Sequence, residues 1–219
     1  MDTKETAQGC EIAGDICRPG GFELTQRLIG LGALPAGAAV LDVGCGSGAT
    51  VAWLIHQGYG GSAGVDVALP ADVQPPLYHA GAQALPFTGP QFNAILCECS
   101  FSLVAQATVA LAQFAGLLKP GGCLLFSDLY SRTETARLSG EGGKLYTRQA
   151  LQQLLESNGF TVTHFEDQSD ALKQLAIQRI LNDGADALYA GLGTSFEEMK
   201  RIRPGYYLLV ARKANGAGA

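Results

Sequence analysis

Val40-Leu41-Asp42-Val43-Gly44-Cys45-Gly46-Ser47-Gly48-Ala49 decides the fold of this 219-residue chain. Three of its first four positions are apolar and two of those are β-branched valines, which suits a buried strand. Three glycines then recur at every second residue, and Thr50-Val51-Ala52-Trp53-Leu54-Ile55 continues as a helix. Glycine permits positive φ and lets backbone approach a ligand without a side chain between. A turn of this kind opening a helix aims its amides at a polar or anionic group. The next strand, Gly64-Val65-Asp66-Val67, ends in an acid 18 residues after Gly48. An acid at that distance is placed to accept ribose hydroxyls. The two pieces together describe a nucleoside pocket.

The glycines alone leave the nucleoside open. Gly44-x-Gly46-x-x-Ala49 fits the permissive dinucleotide fingerprint. Read from Asp42, the same loop has a carboxylate inside the strand, suited to a ligand carrying an ammonium group and repulsive to a pyrophosphate.

Composition narrows the classes. The net charge is −5, and the chain is 47% hydrophobic and 16% charged with 29 glycines, so a loop-rich globular domain is expected. There is no basic run, which argues against nucleic acid as a partner. No stretch approaches the ~18 apolar residues of a membrane span. Met1-Asp2-Thr3-Lys4-Glu5 does not resemble a signal peptide, so a cytoplasmic location is expected. The six cysteines, Cys10, Cys17, Cys45, Cys97, Cys99 and Cys123, are then expected to be reduced. With His56, His79 and His164 they form no zinc-ligand spacing, and no metal is expected.

Taken in order, residues 1–20 read as a flap and Phe22–Leu31 as an amphipathic helix. Strands are expected at Val40, Ser62–Val67, Leu77–Ala80, Phe92–Glu98 and Cys123–Ser127. Helices are expected at Thr50–Gln57, Leu103–Leu118 and Leu145–Ser157. Lys119-Pro120-Gly121-Gly122 reads as a stop. Phe160–Phe165 and Tyr206–Ala211 read as strands, separated by helices at Ala171–Leu181 and Ser195–Lys200 and a glycine-rich connection. Residues 167–204 suit a lid or a homodimer surface, and 214–219 a tail. Strands alternating with helices imply an α/β doubly wound, mostly parallel sheet with helices on both faces. Its ligand belongs beyond the carboxyl ends of the strands, where Asp42–Gly48, Asp66, Glu98 and Asp128 fall.

These motifs resemble the class I S-adenosylmethionine-dependent methyltransferases. Val40–Gly48 is similar to that family's glycine motif and Gly64–Val67 to its second-strand acid. Ala84-Leu85-Pro86-Phe87 and Phe92–Leu96 resemble its third-loop and fourth-strand motifs, and Leu117–Gly122 the approach to the fifth strand. The resemblance implies a Rossmann-like seven-stranded sheet with an antiparallel last strand. It implies that Gly44, Cys45, Gly46 and Gly48 form the donor loop and that Asp42 faces the methionine ammonium. Asp66 takes the ribose hydroxyls, Val67, Ala82 and Gln83 surround adenine, and Glu98 runs beside the donor. The family often has an aspartate before the Ala82 position, where this chain has Gly81.

Methyl transfer needs the acceptor's proton removed, and Glu98, Asp128, Tyr130 and Tyr146 are the candidate groups. The tip Cys97-Glu98-Cys99-Ser100 lacks the Asn/Asp-Pro-Pro-aromatic signature of nucleic-acid methylation, so a small-molecule acceptor is expected. Cys97 and Cys99, at i and i+2, share a side of an extended chain. With Cys10 and Cys17 they raise the alternative of metalloid methylation by thiolates. Another alternative is a non-catalytic module that binds the same donor. A nicotinamide reductase is disfavoured by Asp42 and by the lack of a Tyr-x-x-x-Lys pair.

Overall fold

Alternation along the strands builds the sheet and both of its cores. In β4 (Phe92–Glu98), Ala94 and Leu96 pack in one hydrophobic cluster, Ile95 and Cys97 in another. In β9 (Pro204–Lys213), Tyr206, Leu208 and Val210 face the first cluster, and Tyr207, Leu209 and Ala211 the second. Because successive side chains leave a strand on opposite faces, such apolar runs must be covered on both sides. Helix α1 (Gly21–Gly32) supplies Leu24, Leu28 and Ile29 to one face. Helices α3 (Ala107–Leu117) and α4 (Arg148–Glu156) supply Leu111, Phe114, Leu151 and Leu155 to the other.

The computed structural model describes residues 18–140 and 143–214. Cys10, Cys17, residues 1–17 of the expected flap and nearly all of the expected tail lie outside the described residues. The remaining elements are β1 (Val40–Val43), α2 (Ala49–His56), β2 (Ala63–Asp66), β3 (Leu77–His79), β5 (Leu118–Ser131), β6 (Ala136–Arg137), β7 (Lys144–Leu145), β8 (Phe160–Asp167), α5 (Ser169–Asp183), α6 (Ala185–Leu192) and α7 (Phe196–Ile202). The seven-stranded sheet has the order β3-β2-β1-β4-β5-β9-β8. Strands β1 to β5 pair in parallel, and β9 runs antiparallel to both β5 and β8. This is the expected doubly wound architecture with its antiparallel last strand. Strand order reverses between β1 and β4, which places a crevice at their carboxyl ends.

Three local expectations are revised. Lys119–Gly122 does not precede the fifth strand; it forms an irregularity within β5, between the pairs Phe92↔Leu118 and Ala94↔Cys123, with Gly121 at φ 73°. Leu145 belongs to a small hairpin, β6–β7, and α4 begins after Thr147, whose hydroxyl accepts a hydrogen bond from the Ala150 amide at 3.1 Å. A Thr N-cap outweighs the apolar periodicity that seemed to extend the helix backwards. Leu103 lies in a 3₁₀ turn, Phe101–Leu103, ahead of α3.

Candidate active site

The glycine loop is held from β2. Val65 O accepts from the amides of Gly44, at 2.8 Å, and Cys45, at 3.1 Å. Asp66 Oδ2 accepts from the Gly46 amide at 2.8 Å, while its Oδ1 accepts from the Ala68 amide at 2.8 Å. These amides, expected to aim at a ligand, are used by the parallel β1–β2 pairing that brings Val65 and Asp66 beside the loop. Gly44, Gly46 and Gly48 all take positive φ, at 83°, 54° and 88°. At Gly44 the reason is also spatial: a Cβ there would overlap Ser100 Cβ across the crevice. Ser100 Oγ donates to Val43 O at 2.6 Å and closes the β1–β4 gap.

A cavity of about 350 Å³ opens at this point, lined by Val43, Gly44, Asp66, Val67, Ala80–Gln83, Cys99, Ser100 and Leu103–Ala105. Among the expected donor-site residues it brings together Gly44, Asp66, Val67, Ala82 and Gln83. Val67 is 68% exposed and Leu103 51%, so two large apolar side chains stand open at its rim. Asp66 is the lining residue that carries a full charge. The donor set suits a nucleoside: a carboxylate with lone pairs free for a diol, apolar walls for a base, and backbone bare enough for close approach.

Asp42, Cys45, Gly46, Gly48 and Glu98 do not line the cavity. Cys45 is 3% exposed and packs under the loop, its thiol pushed up to about 12 chiefly by burial. Asp42 lies behind the loop at 3% exposure. Burial, then the charge of Glu98, raises its pKa to about 8. Glu98, expected beside the donor, turns inward instead. Thr25 Oγ1 donates to it at 2.9 Å, Arg18 Nη2 pairs with it at 3.1 Å, and the side chains of Arg18 and Glu98 are 7% and 5% exposed. Burial raises the Glu98 pKa, and Arg18 and Thr25 oppose that shift. Arg18 Nε is buried and has no hydrogen-bond partner among the described residues. Arg18, read from sequence as part of a turn, is the buried partner of Glu98, a pairing that no local sequence pattern signals.

The other candidate bases are also placed away from the cavity. Asp128 is 2% exposed and accepts from the Ser102 and Leu129 amides, each at 2.8 Å; burial raises its pKa to about 6. It thereby fixes the 3₁₀ turn that presents Leu103. Tyr130 donates to Asp167 at 2.6 Å, and Tyr146 lies under Lys144 Nζ at 4.4 Å. Cys97 and Cys99 do not share a side. The strand ends at Glu98, and Cys99 has φ 52°, so Cys97 sits in one core and Cys99 packs against the other. Among the described residues no group of three His, Cys, Asp or Glu is placed to hold a metal, and no helix is long and apolar enough to cross a membrane.

The sheet order, the crevice at its reversal and the acid beside the glycine loop define a class I S-adenosylmethionine-dependent methyltransferase fold. The chain belongs to a methyltransferase-domain family, whose profile matches residues 18–165. It is 25% identical over 173 residues to the uncharacterized methyltransferase YodH of Bacillus subtilis (strain 168), covering 72% of this chain and 66% of that protein, just under two thirds of its length. Among solved structures, geranyl diphosphate C-methyltransferase from Streptomyces coelicolor A3(2), in complex with Mg2+, geranyl diphosphate and S-adenosyl-L-homocysteine, superposes with a TM-score of 0.72. It is 14% identical, over 89% of this chain and 79% of that one. The [4+2]-cyclase SpnF superposes with a TM-score of 0.65 at 23% identity, over 89% of this chain and 81% of its own.

Proposed function

We propose that this protein transfers a methyl group from S-adenosylmethionine to a small-molecule acceptor by in-line displacement. The cavity at the β1–β4 reversal, with Asp66 on its wall and Gly44 at its floor, carries the reading. Bound there, the donor supplies an electrophilic methyl on a positively charged sulfur. The chain's own residues bind and orient it. Asp66 accepts the ribose hydroxyls, Val67 and Ala82 pack on the base, and Gln83 offers a polar edge in place of the missing aspartate at Gly81. Cys45, Gly46 and Gly48 shape the loop. Asp42 lies behind it as a buried carboxyl that a bound ammonium group would draw into its charged form. Positioning of this kind supplies much of the rate of a displacement.

A small-molecule acceptor agrees with the net charge of −5 and with geranyl diphosphate in the Streptomyces coelicolor neighbour. Helices α5–α7, inserted between β8 and β9, serve as the acceptor lid. Since a cyclase shares the fold, the reaction must be tested apart from the binding. S-adenosylhomocysteine, with NADPH as control, is titrated during thermal unfolding. At 100 times its Kd a ligand stabilises by ~2.7 kcal/mol, roughly 5–10 °C for a domain of this size. A rise with S-adenosylhomocysteine that vanishes in Asp66→Ala supports the donor site; a rise with NADPH alone refutes it. Transfer of labelled methyl from S-adenosylmethionine to an acceptor then separates a methyltransferase from a binding module.

A further inference from the structure

The polar side chains that line the cavity are Asp66, Gln83, Cys99 and Ser100. All but one are already engaged by the protein. Asp66 accepts from the Gly46 and Ala68 amides, Ser100 Oγ donates to Val43 O, and Cys99 Sγ lies 3.2 Å from Tyr206 Oη. Among the described residues Gln83 has no hydrogen-bond partner. Its carboxamide stands at the end of the cavity that Val67 walls. A Cβ built on Gly81 would lie 3.4 Å from Gln83 Oε1 and 3.4 Å from Val67 Cγ1, so the amide and the exposed valine flank one point. Gly81 brings no side chain to that point, which leaves Gln83 as its polar group. A carboxamide holds an acceptor oxygen and a donor NH2 side by side. A half-turn about its last torsion, which is broad and two-fold, exchanges them. No protein hydrogen bond at Gln83 opposes that half-turn.

Resting on the methyl-transfer reading above, we propose that Gln83 reads the donor's base as an exchangeable donor–acceptor pair, so that the site takes 6-oxo as well as 6-amino purine nucleosides. Along its N1–C6 edge adenine presents an acceptor, N1, beside a donor amino group. Hypoxanthine presents the same pair exchanged, a donor N1–H beside an acceptor O6. Gln83 meets adenine with Nε2 donating to N1 and Oε1 accepting from the amino group. After the half-turn, Oε1 accepts from N1–H and Nε2 donates to O6. In either pose both groups of the carboxamide and both groups of the base are paired. A carboxylate at this point could only accept, and against either base one of its oxygens would meet a lone pair. The neighbouring wall groups Val67 and Ala82 are apolar and do not distinguish the two bases. Polar sites ordinarily reject a wrong ligand because a buried group is left unpaired. A side chain that can exchange its roles removes that penalty.

Calorimetry at neutral pH on wild type and Gln83→Leu, a change that keeps the volume, tests this with three ligands. They are S-adenosylhomocysteine, its 6-oxo counterpart S-inosylhomocysteine, and the corresponding homocysteine nucleoside of 1-deazapurine, which carries C–H at positions 1 and 6. Wild type is expected to bind the first two within about threefold of each other and the third roughly tenfold more weakly, the scale of the lost hydrogen bonds. Gln83→Leu is expected to lower the first two affinities about tenfold and leave the third unchanged, so that the variant binds all three alike. A purely structural role for Gln83 lowers all three together, and that result overturns the proposal. So does a wild type that favours either purine by more than about tenfold, which means that a fixed group reads the edge. Near-equal wild-type affinities that survive unchanged in Gln83→Leu overturn it too. Circular dichroism checks the variant's fold, and Gln83→Met replaces it if leucine is not tolerated. Wild type that binds none of the three defeats the donor-site reading, and the proposal with it. Wild type that binds S-adenosylhomocysteine but rejects the 6-oxo compound defeats the proposal alone.

Discussion

Replacing Arg18 by methionine removes the guanidinium from its buried pair with Glu98 while keeping a long apolar side chain. The pair it breaks has an N···O distance of 3.1 Å, with side chains 7% and 5% exposed. Breaking a buried pair from one side costs ~3–5 kcal/mol, because a charge is left uncompensated. Arg18 also stands 5.2 Å above the Phe22 ring, a contact worth roughly 0.5–1 kcal/mol more. A loss of about 4 kcal/mol lowers Tm by roughly 8–16 °C for a chain of this size. The sign of its pH dependence follows from the surroundings. Arg18 holds down the proton affinity of Glu98 and Asp42. Without it both carboxyls bind protons more readily in the folded state, so acid rescues the variant. Urea unfolding followed by circular dichroism at about pH 5 and about pH 8 measures both effects. The reasoning is refuted if the loss at the higher pH is under about 1 kcal/mol, or if it is the same at both.

Other outcomes follow from single contacts. Gly44→Ala places a Cβ on Ser100 at φ 83°. Positive φ alone costs about 1–2 kcal/mol, and S-adenosylhomocysteine affinity is expected to fall at least tenfold, about 1.4 kcal/mol; calorimetry showing undiminished affinity counts against the cavity as donor site. Asp42 has a folded pKa of about 8 against 3.8 for the free group. The folded state therefore holds a proton that the unfolded chain releases, and stability falls as pH rises from about 4 to about 8. Asp42→Asn removes that part of the slope, leaving the parts due to Glu98 and Asp128, whose pKa values are also raised. Urea midpoints across this window check it, and an Asn variant with the wild-type slope contradicts the assignment.

What the sequence disclosed and what it hid divide along physical lines. The strands were legible because apolar runs such as Phe92–Glu98 are bounded by turn residues, and the glycine loop because positive φ restricts residue choice. Asp66 was legible as an acid at a strand tip. The inward turn of Glu98 was not, since its partners Thr25 and Arg18 lie 73 and 80 positions away along the chain. Pairing across such separations is decided by packing, not by local pattern. Cys99 was misplaced for a related reason: the rule that i and i+2 share a side holds only while the chain stays extended, and a φ of 52° ends it. Leu145 was assigned to a helix because periodicity continued through it, whereas a cap at Thr147 and the Ala136↔Leu145 pair in the hairpin set the boundary.

The place where α5–α7 joins the sheet bears on how new acceptors could be accommodated. The segment leaves the sheet after Asp167 and returns at Pro204, and Asp167 pairs with Tyr207 across β8 and β9. Its two ends are fastened by Ser169 Oγ, which accepts from the Tyr206 amide at 3.1 Å, and by Ile202 O, which accepts from Ser131 Oγ at 2.9 Å. Between them, Gly193 seats backbone to backbone on Gly140, where neither position admits a Cβ. A cassette with neighbouring ends and a side-chain-free seat can be exchanged between relatives as a unit. With α5–α7 as the proposed acceptor lid, chimeras cut at Ser169 and Ile202, with the two glycines retained, are expected to change acceptor preference while keeping S-adenosylhomocysteine affinity.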